Sequence, residues 1–294
     1  MATQLLIYET AVPVSSGRHA KCFVEAGNNF AFTRNVNSVP LMAVEFPEAS
    51  QEYAMVFAGT REELMPVVIL GARQNENLYL SPEGEWPAKY IPAFVRRYPF
   101  VFSSSEDGKT FTLCVDEAFP GVNYQGRGQP LFTEDGKPSP YTDKVLKFLQ
   151  EYRAQFLRTK AFCKKLRDLD LLDPMKAEFT LGSGDKMALS GFMVVDRKRL
   201  KALSGEALAE LAKTDELELI YLHLQSMRNF NAVKDRLLLI QGGKAEQGAI
   251  VQAKEAAPES LAKAAAPGNA SKPATPEAAS KTAAGRAAKR TRAE

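Results

Sequence analysis

The sequence lacks any apolar run long enough to cross a membrane. Its longest runs, such as 237–240, are only a few residues long, whereas about 20 are needed to span a bilayer. The apolar stretch at the amino terminus has no positive charge ahead of it, and Glu9 and Pro13 interrupt it before the core of an export signal could form. We therefore expect a cytoplasmic protein, the alternative being a cell-surface protein that leaves by an unrecognised export route.

Cysteine and histidine are also scarce. The chain has three cysteines (Cys22, Cys114 and Cys163) and two histidines (His19 and His223), with no C-x-x-C pair. This spacing gives no support to a cysteine-based zinc site and favours buried, reduced thiols. His223 lies between two leucines of a predicted helix, which is typical of a core histidine whose hydrogen bonds are satisfied. No metal and no cofactor is expected.

The net charge is small and unevenly distributed. Of 38 basic and 35 acidic residues, 8 and 5 fall in 246–294, which leaves 30 of each in 1–245. Because residues 1–245 have no net charge, they are not expected to attract polyanions strongly. Nucleic acid is therefore not expected as a partner, except for weak binding to the basic cluster at 286–292. Residues 246–294 have no aromatic side chain, and lysine recurs every nine residues from Lys254 to Lys281 with prolines in phase. We predict one globular domain over 1–245 followed by a disordered tail.

Familiar catalytic and nucleotide-binding motifs are missing. Gly108-Lys109-Thr110 lacks the upstream glycine of a phosphate loop, and Gly126-Arg127-Gly128 lacks the third glycine of a dinucleotide fingerprint. Gly182-Ser183-Gly184 lacks the spacing of a nucleophile elbow. The adjacent carboxylates Asp116–Glu117 and Glu134–Asp135 are typical of solvated turns, where neighbouring side chains point apart. No catalytic residue is predicted.

Residue patterns predict a β-rich first half. Short runs of β-branched and aromatic residues alternate with turn signals as far as residue 120. The Asp-Gly turn at 107–108 separates two such runs and favours an antiparallel hairpin. The runs are Leu5–Tyr8, Phe30–Thr33, Leu41–Val44, Met55–Ala58, Val67–Leu70, Leu78–Leu80, Phe100–Phe102 and Phe111–Val115.

The second half is predicted to be rich in helices. Apolar residues at spacings of three and four predict an amphipathic helix that has Thr142 as its N-cap, continues through Leu166 and ends before Pro174. Strands first and helices later indicate an α+β protein rather than an alternating α/β fold. The further elements expected are a hairpin around 182–185, two short helices capped by Asp196 and Ser204, and a long helix over 215–239.

The densest aromatic stretch, 77–102, is a candidate binding site. It contains the only tryptophan, and two prolines delimit a two-turn helix over Ala93–Tyr98. Two adjacent arginines would project from the end of this helix beside aromatic rings and could hold a carboxylate or phosphate by bidentate hydrogen bonds. The alternative is that each arginine pairs with a carboxylate of this protein and that the rings belong to the core. The candidate ligand-binding residues are Trp86, Tyr90, Arg96, Arg97 and Tyr98.

These residues resemble the SapC family of bacterial proteins. The most specific string is Tyr-Ile-Pro-Ala-Phe-Val-Arg-Arg-Tyr-Pro-Phe at 90–100, and the resemblance covers nearly all of 1–240. The family takes its name from a surface-layer locus, so the resemblance implies a link to a surface layer or its export, and it supplies no catalytic residue or cofactor. The transporter permease of the same name needs membrane spans that this sequence does not contain. Further matching motifs are Glu76–Leu80, Gly84-x-Trp86, Leu113–Glu117, Leu131-Phe132, Thr159 with Phe162, Leu189-x-Gly191-Phe192, Val195-Asp196 and His223-Leu224-x-Ser226.

Two classes of function are compatible with the sequence. The first is a non-enzymatic accessory or interaction protein with protein partners of unknown identity, linked to surface-layer assembly or export. The second is a small-molecule-binding protein or enzyme that holds an anionic ligand against the aromatic and arginine side chains of 86–98. Arginines paired with buried carboxylates would argue against the second class, and arginines that face an open cleft would favour it.

Overall fold

The computed structural model describes residues 5–60, 62–105, 108–180, 184 and 186–239. The fold is α+β as predicted, with antiparallel strands through the first half and most of the helical residues in the second. The helices are α1 (Ser16–His19), α2 (Phe46–Ala49), α3 (Ala93–Arg96), α4 (Pro140–Asp168), α5 (Arg197–Lys201), α6 (Gly205–Lys213), α7 (Glu216–Ser226) and α8 (residues 230–239), with 3-10 turns at Ala31–Thr33, Ala43–Glu45 and Met227–Asn229. The strands are β1 (Ala11–Pro13), β2 (Phe23–Val24), β3 (Ser38–Pro40), β4 (Met55–Ala58), β5 (Met65–Ile69), β6 (Phe100–Ser104), β7 (Phe111–Asp116), β8 (Val122–Asn123), β9 (Gln129–Pro130), β10 (Leu172–Thr180) and β11 (Lys186–Val195).

The largest sheet joins the two halves of the chain. Its order is β10-β11-β4-β5-β3, and every neighbouring pair is antiparallel. β4 and β5 are apolar along almost their whole length because helices cover both faces of the sheet. Phe57 packs against Phe162 of α4 on one face, with ring centroids 6.3 Å apart, whereas Val56 on the other face belongs to a core that includes Val233 and Leu237 of α8.

Polar side chains of α7 fasten this helix to the sheet. His223 is fully buried, its Nδ1 donates to the Met55 carbonyl at 2.9 Å, and its Nε2 accepts the Val195 amide at 3.0 Å. The Ser226 hydroxyl accepts the Met55 amide at 3.1 Å and donates to the His223 carbonyl at 2.7 Å. The prediction of a satisfied core histidine is therefore confirmed, and burial lowers the pKa of His223 to about 4.

A second sheet, of order β1-β7-β6, has one buried face and one face toward a cavity. Side chains alternate along its strands, so Val12, Val115 and Phe100 pack into a core of their own. Pro13, Cys114 and Val101 form the adjacent cross-strand row on the opposite face. A third, small sheet has the order β8-β2-β9.

The bounds of α4 differ from the prediction at both ends. Ser139, not Thr142, is the N-cap: its hydroxyl accepts the Thr142 amide at 3.2 Å, and Pro140 follows at the first helical position, where no amide hydrogen is needed. The helix ends at Asp168 because Asp170 takes a left-handed conformation with φ of 52°, and the Leu171 amide donates back to the Leu166 carbonyl at 3.0 Å.

Proline and a 3-10 turn modify the later elements. Pro174 lies within the edge strand β10, where a missing amide hydrogen is tolerated. The helix predicted over 215–239 is divided into α7 and α8 by the turn Met227–Asn229. Asp196 and Ser204 cap α5 and α6 as predicted, since the side chain of each accepts helix amides.

Four of the predicted strands are not strands. Leu5–Tyr8 and Leu78–Leu80 form turns, and Phe30–Thr33 and Leu41–Val44 overlap 3-10 turns. The predicted turn at 182–185 and the tail 246–294 lie largely or wholly outside the described residues.

Candidate functional site

Trp86 and Tyr98 connect neighbouring segments of the fold. The Trp86 indole is 7% exposed, and its Nε1 donates to the Tyr53 hydroxyl at 2.9 Å. The ring of Tyr98 stacks on Phe32 with centroids 4.1 Å apart, and its hydroxyl donates to Asp116 at 3.3 Å. The internal hydrogen bonds of both side chains point to a structural role.

Tyr90 and Arg96 lie together at the surface end of α3. The Tyr90 hydroxyl donates to Oε1 of Glu45 at 2.7 Å. The pKa of Tyr90 is raised, mainly by burial and to a smaller extent by the negative charge of Glu45. The Arg96 guanidinium lies 5.7 Å from the Tyr90 ring centroid and 5.6 Å from that of Phe148, and its Nε donates to the Ile91 carbonyl at 2.9 Å. Arg96 is thus an exposed cation held between two rings.

Arg97 points in a different direction and is 4% exposed. Its guanidinium carbon lies 4.4 Å from the ring centroid of Phe94, 4.8 Å from that of Tyr152 and 5.6 Å from that of Tyr8. Burial raises the pKa of Tyr8 to about 12, and the charge and hydrogen bond of Arg97 oppose that rise. The two adjacent arginines therefore serve different cavities, and the five predicted residues do not form one site.

The larger cavity, of about 430 Å³, is an open groove between α4 and the outward face of the second sheet. We call it the Arg97 groove. The sheet supplies the row Pro13, Cys114 and Val101, and α4 supplies side chains at spacings of three and four on a single helical face. Its described lining residues are Leu5, Ala11, Pro13, Arg97, Val101, Phe102, Ser103, Ser104, Phe111, Cys114, Leu149, Tyr152, Arg153, Phe156 and Leu157.

The Arg97 groove combines an apolar wall with positive charge. Arg97 is buried in its wall, and Arg153 is an exposed residue whose guanidinium carbon lies 3.7 Å from the ring centroid of Phe111. The described residues that line the groove include these two arginines and no carboxylate. Such a lining favours an apolar molecule that carries an anionic group.

Cysteine chemistry is suppressed at the groove. Cys114 lies in its wall, and burial raises the pKa of this thiol, so the nucleophilic thiolate is disfavoured. The same physical cause raises the pKa of Cys22 and brings that of Cys163 to about 12. All three cysteines are buried and free, as the sequence predicts.

Asp116 differs from its sequence interpretation as a residue of a solvated turn. Asp116 is fully buried, and its carboxylate accepts the amides of Glu9 at 2.8 Å and Thr10 at 2.9 Å. His19 is also buried, with its Nε2 3.2 Å from a Glu117 oxygen. The guanidinium of Arg18 lowers the pKa of Glu117 chiefly by hydrogen bonding. These groups connect the amino-terminal segment to β7.

The described residues contain neither a metal-binding cluster nor a membrane-spanning helix. In the residues that the structure describes, no three histidine, cysteine or carboxylate side chains converge as a metal would require. None of the described helices is both long and apolar enough to cross a membrane.

Several groove residues were missed by the sequence interpretation. Tyr152 and Phe156 belong to the apolar face predicted for α4, but the sequence pattern does not show that these two side chains line a cavity. Arg153 lies between them and would have been found by asking which cations share that stripe. Phe111 was predicted only as part of a strand.

The fold defines an α+β protein with a mixed apolar and cationic groove beside its longest helix. A model of the family described as SapC matches residues 14–233, and the chain belongs to the SapC family. No curated protein and no solved structure shows significant similarity to the chain. The matched range contains every element from α1 to α7. It also contains all the described residues that line the Arg97 groove except Leu5, Ala11 and Pro13.

Proposed function

We propose that this SapC-family protein is a non-enzymatic accessory protein that binds an apolar molecule with an anionic group in the Arg97 groove. The observation that supports the proposal most strongly is the placement of two arginines in an otherwise largely apolar lining. A groove of about 430 Å³ is within the range of small-molecule sites, roughly 300–1,000 Å³. The raised pKa of the Cys114 thiol supports binding rather than nucleophilic catalysis.

The test is calorimetric titration of the full chain with decanoate and with 1-decanol, which share an apolar chain and differ in charge. We expect decanoate to bind more tightly, and R153Q to weaken it about tenfold, because a charge-assisted hydrogen bond is lost. R158Q is the matched control, since Arg158 is an exposed residue of α4 outside the groove lining. Equal affinities for decanoate and 1-decanol, or equal effects of R153Q and R158Q, would contradict the proposal.

A role in surface-layer assembly or export is a second proposal, and it is motivated by membership of the SapC family. Fractionation of the source cells into cytosol, envelope, surface and medium tests it. This role requires recovery at the surface or in the envelope, which would also mean that the protein leaves by an unrecognised export route. Recovery in the cytosol alone would argue against this role and leave ligand binding as the remaining function.

A further inference from the structure

A second, smaller cavity lies on the other side of Tyr152. Its volume is about 280 Å³, and it is bounded by α3, α4 and the 3-10 turn Ala43–Glu45. We call it the Glu45 cavity. Its lining residues are Met42, Val44, Glu45, Tyr90, Ala93, Arg96, Phe148, Glu151, Tyr152 and Gln155.

Two residues on one face of α4 that line this cavity each carry a buried polar atom without a hydrogen-bond partner in the described part of the chain. The two atoms are the Tyr152 hydroxyl and Oε1 of Gln155. The Tyr152 side chain is more than nine-tenths buried, and burial raises its pKa, so its hydroxyl stays protonated. Buried polar groups in proteins nearly always have a partner, so these two atoms point to an occupant with polar groups of its own.

The wall of the cavity contains both acidic and basic groups, and Glu45 and Arg96 both bond to the Tyr90 hydroxyl. Glu45 is 4% exposed, and its carboxylate accepts the Met42 amide at 2.8 Å, the Ala93 amide at 2.7 Å and the Tyr90 hydroxyl at 2.7 Å. Burial raises the pKa of Glu45, and the charge of Arg96 opposes that rise. A cation beside Glu45 would relieve the same desolvation.

The acceptors and the cation match the two ends of a zwitterion. Carboxylates of Glu45 and Glu151 and the amide oxygen of Gln155 offer three acceptor groups, and a primary ammonium has three N–H donors. Arg96 is held over aromatic rings, and its Nε and Nη2 donate to the Ile91 carbonyl and the Tyr90 hydroxyl, which leaves Nη1 to contact a carboxylate. The side chains of Met42 and Phe148 add an apolar surface.

We propose that the Glu45 cavity binds a small α-amino acid with an apolar side chain. Its ammonium group would contact Glu45, Glu151 and Gln155, and its carboxylate would contact Arg96. The apolar side chain would lie against Met42 and Phe148. This site is distinct from the Arg97 groove, and its ligand is of a different class.

Calorimetric titration of the full chain with L-leucine, N-acetyl-L-leucine and L-leucine methyl ester tests the proposal. The two derivatives remove the ammonium and the carboxylate in turn. We expect leucine to bind and each derivative to bind about tenfold more weakly, as the loss of a charged hydrogen-bonding group implies. The proposal would be overturned if leucine gave no measurable heat, which would indicate that water fills the cavity. It would also be overturned if N-acetyl-L-leucine bound as tightly as leucine.

Matched variants separate the cavity from its surroundings. Q155L removes the acceptor and should weaken leucine about tenfold, whereas Q150L makes the same change on an exposed position of α4 and should leave affinity unchanged. A thermal melt of Q155L that matches the parent protein excludes a folding defect. R153Q should leave leucine affinity unchanged, since Arg153 lines only the groove. Equal leucine affinities of Q155L and Q150L would overturn the assignment.

Discussion

At the scale of single residues, the two adjacent arginines show how much depends on local geometry. Arg96 and Arg97 are consecutive at the end of α3, yet one is exposed between two rings and the other is enclosed by three. The sequence correctly places both beside aromatic side chains. It does not show that consecutive residues of a one-turn helix point to different cavities, because that depends on where α4 crosses.

His223 predicts a pH dependence of stability. Its folded-state pKa of about 4 lies below the usual 6.5, so the unfolded chain binds the extra proton between these values. Stability from this group is fully present above pH 6.5 and is lost as pH falls toward 4, by about 3 kcal/mol at most. Urea unfolding between pH 7.5 and 4.5 measures the loss.

The H223Q variant isolates this contribution from other titrating groups. Glutamine can donate to the Met55 carbonyl and accept the Val195 amide, the two bonds that His223 makes, without gaining a proton. We expect H223Q to be less dependent on pH than the parent. Parallel pH profiles of the two proteins would show that His223 does not titrate in this window.

At the scale of elements, side-chain acceptors explain why three of the four wrongly predicted strands are not strands. In Phe30–Thr33 the Ala31 amide donates to the Asn29 side chain, and in Leu41–Val44 the Met42 amide donates to Glu45. In Leu78–Leu80 the Tyr79 amide donates to Asn77. In each segment a polar side chain accepts a hydrogen bond from a backbone amide that would otherwise donate to a neighbouring strand. This local bond favours a turn even though the segment is mostly apolar.

Some strands could be predicted from local composition, whereas the order in which they pair could not. Met55–Ala58 and Phe111–Val115 were predicted from β-branched and aromatic content, and the structure confirms both. The order of the strands could not be predicted from local sequence patterns, because β11 pairs with β4 through residues far apart in the sequence, such as Phe192 and Ala58. The fold class could thus be predicted, whereas the sheet order and both cavities could not.

The N-cap of α4 predicts a specific loss of stability. Ser139 is 1% exposed, accepts the Thr142 amide, and donates to the Pro130 carbonyl at 2.6 Å. We expect S139A to lower the free energy of unfolding by about 1–2 kcal/mol. S204A, at the exposed N-cap of α6, is the matched control and should cost less because water can replace its hydroxyl. Equal losses in chemical denaturation would contradict the role of burial at Ser139.

At the scale of the whole molecule, the described core ends before the basic tail begins. The last core residue is Leu237, and the described residues form a single compact unit. We expect truncation after residue 245 to leave the melting temperature unchanged and to remove the net charge of +3. A clear fall in melting temperature would mean that residues beyond 245 contribute to the fold.

The partners of β4 that come late in the chain have a consequence for synthesis on the ribosome. The amide and carbonyl of Met55 find their partners 171 and 168 residues later in the chain. At translation rates of about 5–20 residues per second, these partners emerge roughly 10 to 30 s after β4. Over much of that interval the edge of β4 lacks β11 and one of its apolar faces lacks α8. Both are then open to other chains, which makes the nascent chain a client for chaperones.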